Sequence, residues 1–155
     1  MRLVLQRVRR AAVRVDGQDA AAIGRGILAL VGVEKGDGPG EARQAAAKLA
    51  GLRIFEDAAG KMNLAAAEAG AGFLVVSQFT LAASLERGRR PSFDGAAPAT
   101  EAEPLVAALA TELAARGLPV ASGVFGARME VDLVNDGPVT FVLDVPAAPA
   151  TGRPG

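Results

Sequence analysis

A serine, a glutamine and a threonine stand close together in Ser77-Gln78-Phe79-Thr80-Leu81. A glycine-proline pair follows two polar residues in Asn135-Asp136-Gly137-Pro138-Val139-Thr140. In these two strings, residue type and spacing suggest chemistry. Side chains alternate along an extended segment, which puts Ser77 and Phe79 on one face and Gln78 and Thr80 on the other. A strand end carrying two hydroxyls and an amide can position a carbonyl, and its free N–H groups can stabilise an oxyanion. Two other readings stay open. The segment can be an ordinary strand terminus whose hydroxyls satisfy local backbone groups, or Thr80 can be a nucleophile. The chain has no histidine to activate such a hydroxyl. Lys61 would serve only if the fold brought it close and desolvation lowered its pKa. Asn-Asp-Gly-Pro between apolar segments reads first as turn chemistry, and a plain hairpin explains it. A Gly-Pro pair also presents carbonyls with almost no side chain, so it can sit very close to a ligand and reject it by shape.

The rest of the composition narrows the choices. With neither cysteine nor histidine, disulfides, thiol catalysis and thiolate metal sites are excluded, and no zinc site or other cofactor is expected. Seventeen basic residues balance seventeen acidic ones, so the total charge offers no strong non-specific attraction for nucleic acid. The arginines are uneven: Arg2, Arg7, Arg9, Arg10 and Arg14 lie early, and Arg87, Arg89 and Arg90 lie in one central loop. Such clusters are commonly solvated faces. No apolar run approaches the roughly 20 residues of a membrane span. The first residues alternate like a strand instead of forming a signal-peptide core. A soluble cytoplasmic protein is expected.

Elements that position the two strings follow from periodicity. Residues 3–8 and 12–15 read as strand segments, Asp16-Gly17 as a hairpin turn, and residues 18–23 as the return. Residues 27–33 form a continuous apolar run, which suits a buried strand. Ala42, Ala45, Ala46, Leu49 and Ala50 share one side of a helix over 40–52. Residues 53–55 read as a short strand before a polar turn at 56–61. Residues 73–76 are apolar on both faces, so a central strand delivers the Ser77 string at its end. Residues 87–93 form a loop punctuated by Gly and Pro. Thr100 and Glu103 fit a capping box for a second helix, with Pro104 in its first turn. Leu105, Leu109 and Leu113 stripe that helix, and Gly117 stops it. Strands over 128–134 and 139–145 flank the Gly-Pro string. The class is α+β: a mainly antiparallel, curved or barrel-like sheet with about two helices. One domain is expected over 1–145, followed by a disordered tail over 146–155.

Taken together, the strings resemble those of the D-aminoacyl-tRNA deacylases. The likeness runs from Leu5-Gln6-Arg7-Val8 to Val145. It passes through Gly32-Val33-Glu34-Lys35, Arg53-Ile54-Phe55, Gly60-Lys61-Met62-Asn63-Leu64 and Glu86-Arg87-Gly88-Arg89-Arg90-Pro91-Ser92-Phe93. Both opening strings match the family's signature motifs without departure.

The resemblance implies hydrolysis of the ester in D-aminoacyl-tRNA, with glycyl-tRNA mischarged on tRNA-Ala as a further substrate. It implies a homodimer in which Gly137 and cis Pro138 of one subunit enter the other's site as a chiral filter, with Arg7 holding that loop across the interface. An L side chain would collide with that backbone, so specificity comes from exclusion. The substrate's own 2′-hydroxyl would assist attack by water. The backbone N–H groups of Phe79 and Thr80 are then candidate oxyanion donors, within a catalytic set of Ser77, Gln78, Phe79 and Thr80. Phe125 and Met129 match the region that packs on the 3′ terminal adenosine, although a plain core role fits each equally. Arg87, Arg89 and Arg90 are candidate phosphate contacts. Two rival functions stay open: a non-catalytic module binding the tRNA 3′ end, and a general ester hydrolase using Thr80.

Overall fold

The computed structural model describes residues 1–149. The chain opens with a long strand, β1 (Arg2–Val15), that turns at Asp16-Gly17 into β2 (Gln18–Ile23). Both turn residues have positive φ, 52° at Asp16 and 76° at Gly17. That is the backbone a two-residue hairpin needs to match strand twist. Next come β3 (Gly26–Gly32), α1 (Pro39–Gly51), β4 (Phe55–Glu56), β5 (Met62–Leu64), the one-turn α2 (Ala66–Ala69) and β6 (Gly72–Ser77). A 3₁₀ turn over Phe79–Ala82, α3 (Ala99–Ala115), β7 (Val120–Ser122) and β8 (Glu130–Asp144) complete the order.

The main sheet runs β2-β1-β3-β6-β7, with β8 on the other edge of β1 and β4–β5 as a separate small hairpin. It curls into a nearly closed, barrel-like form. The sheet is mixed, where sequence periodicity suggested mainly antiparallel. β1 pairs antiparallel with β2, β3 and β8, but β3–β6 and β6–β7 are parallel. Parallel neighbours require a crossover connection, and α1 and α3 lie in the two crossovers. Apolar alternation alone does not carry that information.

The centre of the sheet, β3 and β6, is buried on both faces. Ile27, Ala29, Val31, Phe73 and Val75 pack against α1 and α3 residues such as Leu49, Leu109 and Leu113. Their alternates Leu28, Leu74 and Val76 pack with Val8, Ala11 and Val13 on the other face. This two-sided burial explains the uninterrupted apolar runs of β3 and β6.

Three details differ from the sequence reading. Among the described residues α-helices number three, because α2 adds a single turn closed by Gly70. The capping box at Thr100 and Glu103 does not form: Pro98 is the N-cap, and its carbonyl already accepts from Glu101 N and Ala102 N, both at 2.9 Å. Pro104 therefore falls beyond the first turn, and the Thr100 carbonyl that loses its donor lies at the exposed end of the helix.

The largest difference is at the Gly-Pro string, which is not a hairpin turn between two strands. β8 continues through it, still paired with β1. Gln6 pairs with Thr140 and Val8 with Asn135, so one residue of β1, Arg7, faces the four residues 136–139 of β8. The surplus loops out as a wide bulge.

Of the predicted tail over 146–155, residues 150–155 lie outside the described residues. Ala148 is held, its N–H donating to Glu41 Oε1 at 2.9 Å.

Candidate functional site

β6 is the central parallel strand, and it carries Ser77 to the edge of the barrel. Gln78 extends the ladder by one bond, its N–H donating to Val31 O at 2.7 Å. The backbone then tightens into the 3₁₀ turn, so the strand alternation expected across residues 77–80 ends at Gln78. Leu81 N donates back to Gln78 O, and Ala83 N to Thr80 O, both at 3.1 Å. The N–H groups of Phe79 and Thr80 head the turn, where a helical segment has no internal acceptors to offer. They are donors held in a fixed direction.

Beside this turn lies a cleft of about 520 Å³. Ser77, Gln78 and Phe79 line it from the end of β6 and the turn, Phe125 and Met129 from the segment between β7 and β8, and Val31, Val76 and Val106 from the core elements. None of the lining residues is titratable. The pKa shifts resolved in the molecule belong to Arg2, Arg14, Glu41 and Asp57, none of which lines the cleft. Among the described residues the cleft wall offers hydroxyl, amide and backbone dipoles and no ionisable side chain.

Thr80 does not line this cleft. It stands in an adjoining groove with Arg2, Leu81, Leu85, Phe93 and Val142, and its Oγ1 accepts from Gln78 Nε2. Lys61 sits on the β4–β5 turn and lines neither space. Phe79 is 58% exposed, its ring set edge-on to Phe93 at 5.2 Å. The arginine loop is pinched at its base, where Ser84 and Ser92 exchange backbone hydrogen bonds of 2.8 and 2.9 Å. Arg87, Arg89 and Arg90 project from it exposed.

Gly137 and Pro138 are exposed at the crest of the β8 bulge, joined by a cis peptide bond. Only glycine fits before this proline, because a Cβ on Gly137 would lie 2.0 Å from Val139 N. Neither residue lines the cleft. Arg7 fastens the bulge from below. It is almost fully buried, donating from Nε to Asp136 O at 3.0 Å and from Nη1 to Ile54 O at 2.6 Å. The Asp136 carboxylate adds an ion pair at 3.3 Å. Asn135 Nδ2 completes the clamp by donating to Arg7 O and Val139 O, at 3.0 and 3.2 Å. These contacts are to Arg7's own chain.

The fold thus gathers Ser77, Gln78, Phe79, Phe125 and Met129 around the cleft, and leaves Thr80, bonded to Gln78, and Arg7, Gly137 and Pro138 outside its wall. Phe125 and Met129 also pack on the two cores, so the structural and site readings coexist. Phe93 and the Asn135–Asp136 clamp were not singled out by sequence. The clamp's signal was present in the same polar pair that read as turn chemistry.

Comparison with known proteins follows the same outline. Residues 4–144 match the family model described as D-Tyr-tRNA(Tyr) deacylase. A protein of Anaeromyxobacter dehalogenans named D-aminoacyl-tRNA deacylase is 58% identical over 144 residues, covering 93% of this chain and 97% of its own. One of the same name from Geobacter metallireducens is 55% identical, covering 96% and 98%. The solved structure named c-Myc DNA Unwinding Element Binding Protein superposes with a TM-score of 0.88 at 39% identity, over 95% of this chain and all of that one. A probable eukaryotic D-amino acid tRNA deacylase shares the fold, with a TM-score of 0.79 at 19% identity over 93% of this chain and 98% of its own.

Proposed function

The chain belongs to the D-aminoacyl-tRNA deacylase family of hydrolases, and from that premise we propose that it hydrolyses the ester of D-aminoacyl-tRNA in the cytoplasm, sparing L-esters. The observation that carries the mechanism is the cleft itself: Ser77, Gln78 and the head of the 3₁₀ turn at Phe79 line it, and no titratable group does among the described residues.

Water attacks the ester carbonyl carbon, and the carbonyl oxygen becomes an oxyanion facing the N–H of Phe79 at the edge of the cleft, with the N–H of Thr80 next along the same turn. One such donor contributes about 2.7–4 kcal/mol, or roughly 10²–10³ in rate. The substrate's 2′-hydroxyl assists the attacking water. The proton that water loses ends on the departing 3′ oxygen as the carbon–oxygen bond breaks. Ser77 and Gln78 orient the ester, while Phe125 and Met129 pack on the terminal adenine. Arg87, Arg89 and Arg90 supply phosphate contacts.

Stereochemical choice comes from a second copy of the chain. Gly137 and Pro138 do not line their own cleft, yet they stand exposed on a braced bulge, which supports insertion into a partner's cleft. Exposed apolar side chains nearby in the sheet and its loops, Leu85, Phe141 and Val142, support the same homodimer. Carbonyls of the pair accept from the substrate's α-amino group, and an L side chain collides with their backbone. Glycine, lacking a side chain, escapes this exclusion, so glycyl-tRNA mischarged on tRNA-Ala is a further substrate. Zero net charge favours contact with a tRNA end over extended duplex binding.

Single-turnover deacylation of matched D- and L-aminoacyl-tRNA, with glycyl-tRNA alongside, tests the reading. Rapid loss of the D-ester alone, with glycine cleaved or intermediate, supports it. Equal loss of both enantiomers removes the proofreading role, and binding without turnover leaves a tRNA-end-binding module.

A further inference from the structure

Phe125 belongs to two hollows. On one side it closes the main cleft. On the other it borders a smaller space of about 350 Å³ between α3 and the end of β7. The two spaces share Ser77, Val106 and Phe125, so they adjoin with an aromatic side chain between them. The volume falls within the roughly 300–1,000 Å³ range of small-ligand sites.

The wall of the smaller hollow is mostly apolar, from Val75, Val106, Ala107 and Val124, with Ser77 and Ser122 as hydroxyls. Its single ionisable residue is Glu103 of α3, which makes no ion pair among the described residues. An ionised carboxylate only accepts hydrogen bonds. It therefore selects a flat apolar ligand with a donor on its edge.

We propose that this hollow holds the base of the nucleoside preceding the terminal adenosine, with Glu103 accepting from its exocyclic amine. In tRNA that nucleoside is a cytidine, whose N4 amine is the donor a glutamate or aspartate reads. Single-stranded RNA is recognised by splaying its bases onto aromatic side chains and reading their edges. A Phe shared by adjoining hollows gives two successive bases one platform between them. The inference rests on the deacylase reading of the main cleft. It adds that the enzyme reads at least two nucleotides, and that the second is checked by side-chain chemistry.

The test uses three short D-aminoacyl esters: of adenosine, of cytidylyl-adenosine, and of uridylyl-adenosine, whose uracil offers O4 as an acceptor in place of the amine. A carboxylate near a phosphate also repels it, so affinity alone is a poor readout. The ratio of kcat/KM between the cytidine and uridine substrates cancels that repulsion. The unsubstituted enzyme is expected to prefer the cytidine substrate by about tenfold, the lower part of the range for one base-edge contact. In Glu103→Gln the carboxamide can donate as well as accept, and the ratio is expected to fall to within about twofold of one. An unsubstituted ratio near one, with the adenosine ester still cleaved, overturns the subsite and leaves the deacylase reading standing. A ratio unchanged by Glu103→Gln overturns the role of Glu103. Cleavage of none of the three esters removes the deacylase reading, and the subsite falls with it.

Discussion

Replacing Arg7 with alanine should destabilise the chain and loosen the Gly-Pro bulge together. The residue is only 4% exposed, and its side chain ties the β4 entry to the crest of β8 through Ile54 O and Asp136 O. Its loss strands two main-chain acceptors that water reaches poorly. Hydrogen bonds from a charged donor contribute about 1.5–3 kcal/mol each. The Asp136 ion pair is discounted, since that carboxylate is 27% exposed and also has Arg9 within 3.8 Å. The expected cost is therefore about 3–6 kcal/mol, a large share of the roughly 5–15 kcal/mol that holds a domain folded. With a urea slope of about 2 kcal/mol/M, the unfolding midpoint should drop by about 2 M, at matched protein concentration. Arg7→Lys should fall between, because an ammonium cannot fork to both carbonyls. Asp132→Asn is the control. It removes only surface pairs with Arg10 and Arg14 and should move the midpoint far less. An Arg7→Ala midpoint within about 0.3 M of the parent would refute the buried-clamp reasoning. If the midpoint falls but the D/L rate ratio is untouched, Arg7 supports the fold without setting the bulge.

Further outcomes follow from the same geometry. Thr80→Ala should keep deacylation within about tenfold, since Thr80 lies outside the cleft and its N–H survives the change; a loss near 10³ with the fold intact, seen by single turnover, would restore a nucleophilic hydroxyl. Glu41 should stabilise the chain most above its unfolded pKa of 4.5 and lose that contribution as pH falls toward its lower folded value, because the N–H groups of Ala148 and then Gly38 favour the carboxylate. The stability gap between parent and Glu41→Gln, read by urea unfolding, should accordingly shrink in acid; a gap that widens would reverse the assignment. Replacing Arg87, Arg89 and Arg90 together with alanine should weaken tRNA binding and flatten its salt dependence, by about 0.7 in log–log slope for each phosphate no longer neutralised. An unchanged slope would leave these arginines as a solvated loop.

Much of this arrangement was legible in residue order, and the failures have physical causes. Apolar runs identified β3 and β6 as buried strands because burial on both faces removes alternation. Asp16-Gly17 announced its hairpin because few residues tolerate positive φ at both turn positions. Sheet direction was not legible, since the side-chain pattern of a buried strand is the same whichever way its neighbour runs. The helix start was displaced from Thr100 because Pro98, with φ near −61° and an extended ψ, caps the helix through its carbonyl instead of a side chain. The Ser77 string borders a cleft through Ser77, Gln78 and Phe79, but the strand alternation expected of it ends at Gln78. A 3₁₀ turn is specified there by contacts from β3 and is not announced by Phe79 or Thr80 themselves.

The Gly-Pro string shows most clearly what local sequence leaves out. Asn-Asp-Gly-Pro is turn chemistry, and alone it would close a hairpin between two strands. Here β1 passes unbroken beneath it, and the ladder resumes on both sides at Val8–Asn135 and Gln6–Thr140. The turn residues therefore bend a strand outward without reversing it. That outcome depends on Arg7, the single β1 residue facing the loop, more than a hundred positions away in the chain. A long buried cation helps make the wide bulge tenable, because it satisfies the Asp136 carbonyl that the broken ladder would leave unpaired and ties it to Ile54 O. Arg7 is thus tied to the crest through bonds that no window of sequence around either residue contains. The same logic governs the proposed chemistry. A cleft without titratable side chains leaves discrimination to backbone held rigidly in place. The residue that holds it is then worth more to specificity than its distance from the ester suggests.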